Sequence, residues 1–140
     1  MEFRKAVHVD LPRIVEIYNQ IIPSRLATAD LEPVTVADRE AWFALEPFYG
    51  RPAYEHTAEI SIYIDQAVRH QGVGSRALQF VIDQLPQLGI TAIVAYIFGH
   101  NQPSLKLFRH FGFAEWGSLP RVAELDGVQR DLKILGRRFD

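Results

Sequence analysis

Arg69-His70-Gln71-Gly72-Val73-Gly74 combines a cation with two closely spaced glycines, and it lies between a strand-like run and a helix-like run. A turn of that kind presents several backbone N–H groups at a helix N-terminus, a geometry that receives phosphate. Glycine is needed there because a Cβ would hold the ligand away from the backbone. Gly-x-Gly also serves as a plain tight connection, so the loop alone leaves both readings open. Two nucleotide-binding patterns are excluded. Ala77 stands at the third glycine position of Gly-x-Gly-x-x-Gly, and the loop falls mid-chain instead of after a first strand. No Gly-Lys-Ser/Thr ending makes it a nucleotide P-loop.

The elements that must hold this loop follow from periodicity. Over His56–Asp65, Ala58, Ile60, Ile62 and Ile64 alternate with Thr57, Glu59, Ser61, Tyr63 and Asp65, which predicts a strand leading into the loop. Leu78, Val81, Ile82 and Leu85 form the stripe of a helix from about Gly74, and Pro86 is expected to end or kink it. Upstream, Phe3–Val7 reads as a short strand. Asp10 and Pro12 start a helix whose stripe is Leu11, Ile14, Val15 and Tyr18. A second helix is predicted over Val36–Ala44, and Phe48–Tyr54 reads as a loop or irregular strand because of Gly50 and Pro52.

Downstream, Ile90–Ile97 is apolar enough for a buried strand. Asn101 caps a helix that holds Leu105, Phe108 and Phe111 and ends at Gly112. Phe113–Trp116 and Leu132–Leu135 read as closing strands around a loop with Asp126-Gly127. The order β-α-α-β-α-β-α-β-β is a mixed α/β pattern.

Bulk properties narrow the field. The 140 residues suit one domain, and 48% hydrophobic with 23% charged residues is ordinary for a soluble globular protein. A net charge of -2 without a basic patch argues against nucleic acid as a partner. The absence of cysteine excludes disulfides, thiolate metal sites and a cysteine acyl-enzyme, and it suits the cytoplasm. His8, His56 and His100 lack metal-ligand spacing, so no metal is expected. The N-terminus is not a signal peptide, and no apolar run is long enough to span a membrane.

With the loop and the Asn101 helix both in place, the chain resembles the GNAT acetyltransferases, whose pyrophosphate loop reads Arg/Gln-x-x-Gly-x-Gly/Ala. Arg69–Gly74 fits at every position. Asn101-Gln102-Pro103-Ser104, followed by Leu107-Phe108-Arg109-His110-Phe111-Gly112-Phe113, looks like the family's Asn-x-x-(Ala/Ser)…Gly-Phe helix. Ile17-Tyr18-Asn19, Asp30-Leu31-Glu32-Pro33, Trp42-Phe43, Arg51-Pro52-Ala53-Tyr54 and Thr57-Ala58-Glu59 are similar to the phosphinothricin acetyltransferase-like branch. The resemblance implies one acetyltransferase domain over residues 1–140, with a mixed, mostly antiparallel central sheet flanked by helices. It also implies acetyl-CoA as co-substrate and direct acetyl transfer to the amine of a small amino-acid-like substrate, of phosphinothricin or methionine-derivative type. A homodimer is an expectation of the same kind.

Site roles come with the resemblance. Arg69, His70, Gln71, Gly72, Val73 and Gly74 would hold the CoA pyrophosphate. Backbone groups of Ile62, Tyr63 and Ile64 would receive the pantetheine arm, which can pair like an added strand. Asn101 would contact the arm or serve only as a helix cap. Glu59 is the candidate base that takes the amine proton; the alternative is a solvated strand carboxylate. Arg51 and Tyr54 would bind an anionic group of the acceptor, or belong to a plain surface loop.

Two departures stand out. Phe108 occupies the position where many family members carry a Tyr that protonates the leaving thiolate, so no general acid is assigned. Near residues 44–46, where the family has a β-hairpin, the chain leaves no room for the ~12–15 residues that two strands and a turn need. Either the hairpin is deleted or a stretch of polypeptide is missing from this sequence. The cost of exposing inner strand edges favours the second. A protein N-terminal or polyamine acetyltransferase, and a non-catalytic acyl-CoA-binding domain, are the competing functions.

Overall fold

Apolar residues at helical spacing build the first element, helix α1 (Leu11–Ile21), which buries Leu11, Val15, Tyr18 and Ile21 on one face. The computed structural model describes residues 1–43 and 48–140. Contacts divide them into two units that alternate along the sequence. The first holds residues from Met1 to the undescribed stretch, together with Ile62–Ile82; the second runs from beyond that stretch to Ser61 and again over Asp83–Asp140. The sequence position assigned to the absent hairpin, near residues 44–46, lies outside the described residues.

In the first unit Asp10 precedes α1, but its carboxylate does not cap that helix. It accepts the Val7 N–H at 2.8 Å and pairs with Arg4 through two 2.8 Å contacts, closing a one-turn 3-10 segment (His8–Asp10) instead. The Arg4 guanidinium, with help from the Val7 N–H, holds the Asp10 carboxyl down at about 2. Helix α2 (Val36–Phe43) starts at a reciprocal capping box. Thr35 donates its backbone N–H to Asp38 at 2.7 Å, and the Asp38 N–H returns to the Thr35 hydroxyl at 3.2 Å.

Helix α3 (Val73–Leu88) follows the glycine loop. Pro86 does not end it. The stop is a Schellman motif at Gly89 (φ 68°), with Gly89 N–H bonded to the Pro86 carbonyl and Ile90 N–H to the Leu85 carbonyl. The expected strand at Phe3–Val7 does not form; Phe3 stacks on Phe80 at 5.4 Å between ring centroids. A strand requires a neighbour to complete its ladder, and no described strand pairs with this segment.

The second unit is built on a sheet. Its strands are β1 (Thr57–Glu59), β2 (Ala92–Phe98), β3 (Ala114–Leu125) and β4 (Val128–Arg138), in the order β1-β2-β4-β3. β1 runs parallel to β2, and the other pairs are antiparallel. The β-branched run of β2 buries Ile93, Val94, Ala95, Ile97 and Phe98, as expected of a central strand. Helix α4 (Gln102–His110) buries Leu105 and Phe108.

The β3–β4 hairpin is far longer than the two short closing strands that the apolar residues suggest. Asp126 (φ 52°) and Gly127 (φ 78°) form its two-residue turn, whose left-handed pair matches the twist of the strands. Pro120 is tolerated because β3 is an edge strand, and the ladder shifts register between Leu119 and Ala123. Within that irregularity the Arg121 N–H is satisfied by the Asp131 carboxylate at 2.9 Å. Gly136 on β4 is obligatory in another sense: a Cβ there would stand 2.0 Å from the Trp116 ring.

Candidate acetyl-transfer site

The loop and its approach lie in the first unit. Asp65 precedes a 3-10 turn (Gln66–Val68), and its carboxylate accepts the Ala67 N–H at 2.9 Å. Arg69 turns back, placing Nε 3.4 Å from the Ile64 carbonyl. His70 (φ 61°) and Gly72 (φ 73°) then carry the chain through left-handed conformations, with open space where a Gly72 Cβ would sit. Val73 and Gly74 begin α3, so their N–H groups belong to the first turn, which lacks intrahelical acceptors. Arg76 closes the structure from behind: its N–H bonds the Gly72 carbonyl at 3.1 Å and its guanidinium the Gln71 carbonyl at 2.8 Å. With both carbonyls engaged by Arg76, neither is left free to repel an anion at the loop. His70, Gln71 and Gly72 are exposed, while Arg69, Val73 and Gly74 are half-buried.

The strand expected to reach Asp65 stops at Glu59. After it only the Ile60 N–H still meets β2, at the Val94 carbonyl (3.0 Å). Ile62, Tyr63 and Ile64 are half-buried and belong to no strand. Asp65 is half-buried as well, so the alternation read in the sequence does not become alternating burial here, and the ladder that defines a strand is lost.

The remaining predicted site residues lie in the second unit. Glu59 is exposed at the end of β1, in register with Val94. Tyr96, two residues further along β2, faces the same side of the sheet. Its hydroxyl is hydrogen-bonded to Tyr49. Burial first, then that bond and the charges of Tyr49 and Glu59, push Tyr96 up to about 12. Sequence reasoning missed Tyr96 and Tyr49, although a phenol inside the apolar run Ile93–Phe98 was a readable signal.

Arg51 is exposed between two short 3-10 turns, Phe48–Gly50 and Pro52–Tyr54, and Tyr54 is exposed at the end of the second. Tyr54 packs against Phe48 and Tyr49, each at 5.7 Å. Asn101 is buried and accepts the Ser104 N–H at 3.3 Å, so it does cap α4. Phe108 is 2% exposed and edge-on to Phe113 at 5.0 Å, a core residue with nothing to donate. His56 serves the fold by bonding the Gly89 carbonyl at 2.8 Å. Among the described residues no group of three His, Cys, Asp or Glu side chains is arranged to hold a metal.

Residues 33–113 match the model of the acetyltransferase (GNAT) family. The chain belongs to that family. It is an acetyltransferase, with acetyl-CoA as the family's donor. YwnH of Bacillus subtilis strain 168, whose name provisionally makes it a phosphinothricin acetyltransferase, is 51% identical over 99% of this chain and 99% of its own. An L-methionine sulfoximine/L-methionine sulfone acetyltransferase of Pseudomonas aeruginosa is 29% identical over 98% of this chain and 94% of its own. The crystal structure of a GNAT superfamily phosphinothricin acetyltransferase from Sinorhizobium meliloti, in complex with acetyl-CoA, superposes with a TM-score of 0.89. It is 25% identical and covers 97% of this chain and 86% of that one.

The YwnH alignment runs to 162 positions against the 140 residues here, leaving at least 22 filled only in the relative. No helix among the described residues is long and apolar enough to cross a membrane.

Proposed function

We propose that the protein acetylates the amine of a small amino-acid-like substrate of phosphinothricin or methionine-derivative type, using acetyl-CoA by direct attack. What carries this reading is the loop from Arg69 to Gly74, which opens a helix and has its Gln71 and Gly72 carbonyls engaged by Arg76, an arrangement that suits a pyrophosphate, in a chain whose relatives bear the names given above. Arg69, His70, Gln71, Gly72, Val73 and Gly74 take the diphosphate. The backbone of Ile62, Tyr63 and Ile64 pairs with the pantetheine amides, and Asn101 contacts the same arm. Arg51 and Tyr54 take the acceptor's carboxylate, for which a guanidinium is the natural bidentate partner.

The chemistry assigned to Glu59 is proton removal. An ammonium has no lone pair, so the amine must lose a proton before it attacks the thioester carbonyl. The N–C bond forms, the tetrahedral centre collapses, and the C–S bond breaks. Glu59 keeps the amine's proton and solvent protonates the thiolate, since Phe108 has no proton to give. On the same family grounds residues 1–140 work as one acetyltransferase domain in the cytoplasm, as a homodimer.

A thiol-release assay with acetyl-CoA against phosphinothricin, methionine sulfoximine, a polyamine and an N-terminal peptide tests the assignment. Turnover is expected with the first two. Glu59→Gln should lower kcat by roughly 100-fold or more, the usual range for losing a general base, with CoA affinity unchanged. Acetyl-CoA binding without turnover on any amine would make the protein a non-catalytic acyl-CoA-binding module.

A further inference from the structure

The backbone from Ile62 to Ile64 must stay extended without a strand to hold it, and the turn behind it must aim Arg69. Helix α1 supplies what a strand would have supplied. Gln20 and Gln66 exchange two hydrogen bonds: the Gln66 N–H donates to the Gln20 side-chain oxygen at 3.0 Å, and the Gln66 amide donates to the Gln20 carbonyl at 3.1 Å. Seven residues earlier, on the same helix face, Arg13 pairs with one carboxylate oxygen of Asp65. The other oxygen of Asp65 accepts the Ala67 N–H at 2.9 Å and so fixes the turn that precedes Arg69. Between these positions Tyr18 meets Tyr63 edge-on, 5.0 Å between centroids.

We infer that α1 is the clamp of the donor segment, and that Arg13 and Gln20 are positioning residues for acetyl-CoA. The inference rests on the reading that Ile62–Ile64 and Arg69–Gly74 hold the donor. Energetics separate this role from a structural one. The Arg13 side chain is 53% exposed, which weakens its pull on stability, while the Asp65 side chain is only 16% exposed and keeps the Ala67 N–H as a second partner. An adjacent i,i+3 carboxylate, Glu16 at 2.7 Å, would satisfy Arg13 without Asp65. Reaching Asp65 as well therefore adds position more than stability. The clamp acts on the segment that pairs with the pantetheine and on the turn that sets Arg69, so its loss should appear in donor affinity and nowhere else.

The test is the double variant Arg13→Ala/Gln20→Ala, with Arg13→Lys as the conservative partner and Arg4→Ala as a control elsewhere in the same unit. Calorimetry with CoA should show the dissociation constant rising about 5- to 20-fold in the double variant, the range set by two lost contacts, Arg13 to Asp65 and the Gln66 N–H to the Gln20 side chain; the bond to the Gln20 backbone carbonyl remains. The KM for acetyl-CoA should rise in parallel. kcat at saturating donor, and the KM for the amine, should stay within about twofold, since neither residue touches the acceptor or the base in this reading. Arg13→Lys should keep most of the affinity, because one point charge suffices at Asp65, and Arg4→Ala should keep all of it.

Unchanged donor affinity in the double variant overturns the clamp, as does an equal loss in Arg4→Ala. If the double variant does not fold, Gln20→Ala alone decides by the same readout. Wild-type protein that fails to bind CoA at all would instead remove the donor reading on which the clamp depends.

Discussion

Each unit contains a tyrosine pushed up to about 12, and the two are shifted by different surroundings. Tyr18 is 5% exposed. Its hydroxyl bonds both the Thr28 hydroxyl and the Asp30 carboxylate, and Arg39 completes the group by pairing with Asp30 while lying 4.6 Å over the Tyr18 ring. Tyr18 and Thr28 are buried, Arg39 is largely so and Asp30 is half-buried, and the group serves the fold. Tyr96 is half-buried, bonded to the exposed Tyr49 and sensing the exposed carboxylate of Glu59. No cation is among the causes of its shift. The same chemical pair, a phenol beside a carboxylate, is tied into a largely buried network in one unit and lies nearer to water in the other. The first should yield its energy as stability, and the second as control over a ligand.

Asp30→Ala should break the comparison's stable side hardest. It strips Tyr18 and the largely buried Arg39 of their shared acceptor, a change that costs about 1–3 kcal/mol in comparable buried sites. Urea unfolding would read it as a lower midpoint at constant slope, with donor affinity intact. Tyr18→Phe is milder, about 1 kcal/mol by the same reasoning, and carries a pH signature. The folded pKa of Tyr18 lies above its ordinary value of 10.0, so its contribution is fully present below pH 10 and is lost as pH climbs through about 12. Wild-type stability should therefore fall over that window relative to Tyr18→Phe, and parallel curves would show that the network does not hold the proton.

Tyr96→Phe should produce the smallest change in stability, under about 1 kcal/mol. Its effect belongs in the acceptor KM, by about two- to fivefold, because it unties Tyr49 beside Arg51 and Tyr54. A large stability loss from Tyr96→Phe, with the KM unmoved, would erase the distinction between the two tyrosines.

Much of this was legible in residue order because it depends on near neighbours. The α1 stripe, the glycine loop, the Asn101 cap and the Asp126-Gly127 turn each rest on residues within about a turn of one another. What failed was non-local. Alternation through Asp65 predicts an extended chain, but whether a ladder forms depends on a partner distant in sequence, and the pairing with β2 ends at Glu59. Phe3–Val7 has strand composition and no partner. Pro86 looked like a stop, yet a proline in the last turn forfeits little that the helix end had not already lost, and Gly89 performs the stop. β3 and β4 exceed their apolar cores because polar residues such as Ser118, Glu124, Gln129 and Lys133 still pair along the backbone. The site residues could be named from the sequence by their types and motif positions. Tyr96 and the α1 contacts stayed hidden because they link positions more than 40 residues apart.

The alternation of the two units along the sequence bears on how the protein is made. The first unit takes chain from before and after the segment ending at Ser61, and the second resumes at Asp83, inside α3. A ribosome therefore releases the last piece of the first unit only after an orphan stretch of the second has already emerged. That stretch includes β1, whose sheet neighbour β2 comes some 30 residues later and whose parallel pairing closes a long loop. Nascent chains paused shortly after Ile82 should hold β1 with its ladder groups unmatched, which makes that interval the point of greatest dependence on chaperones.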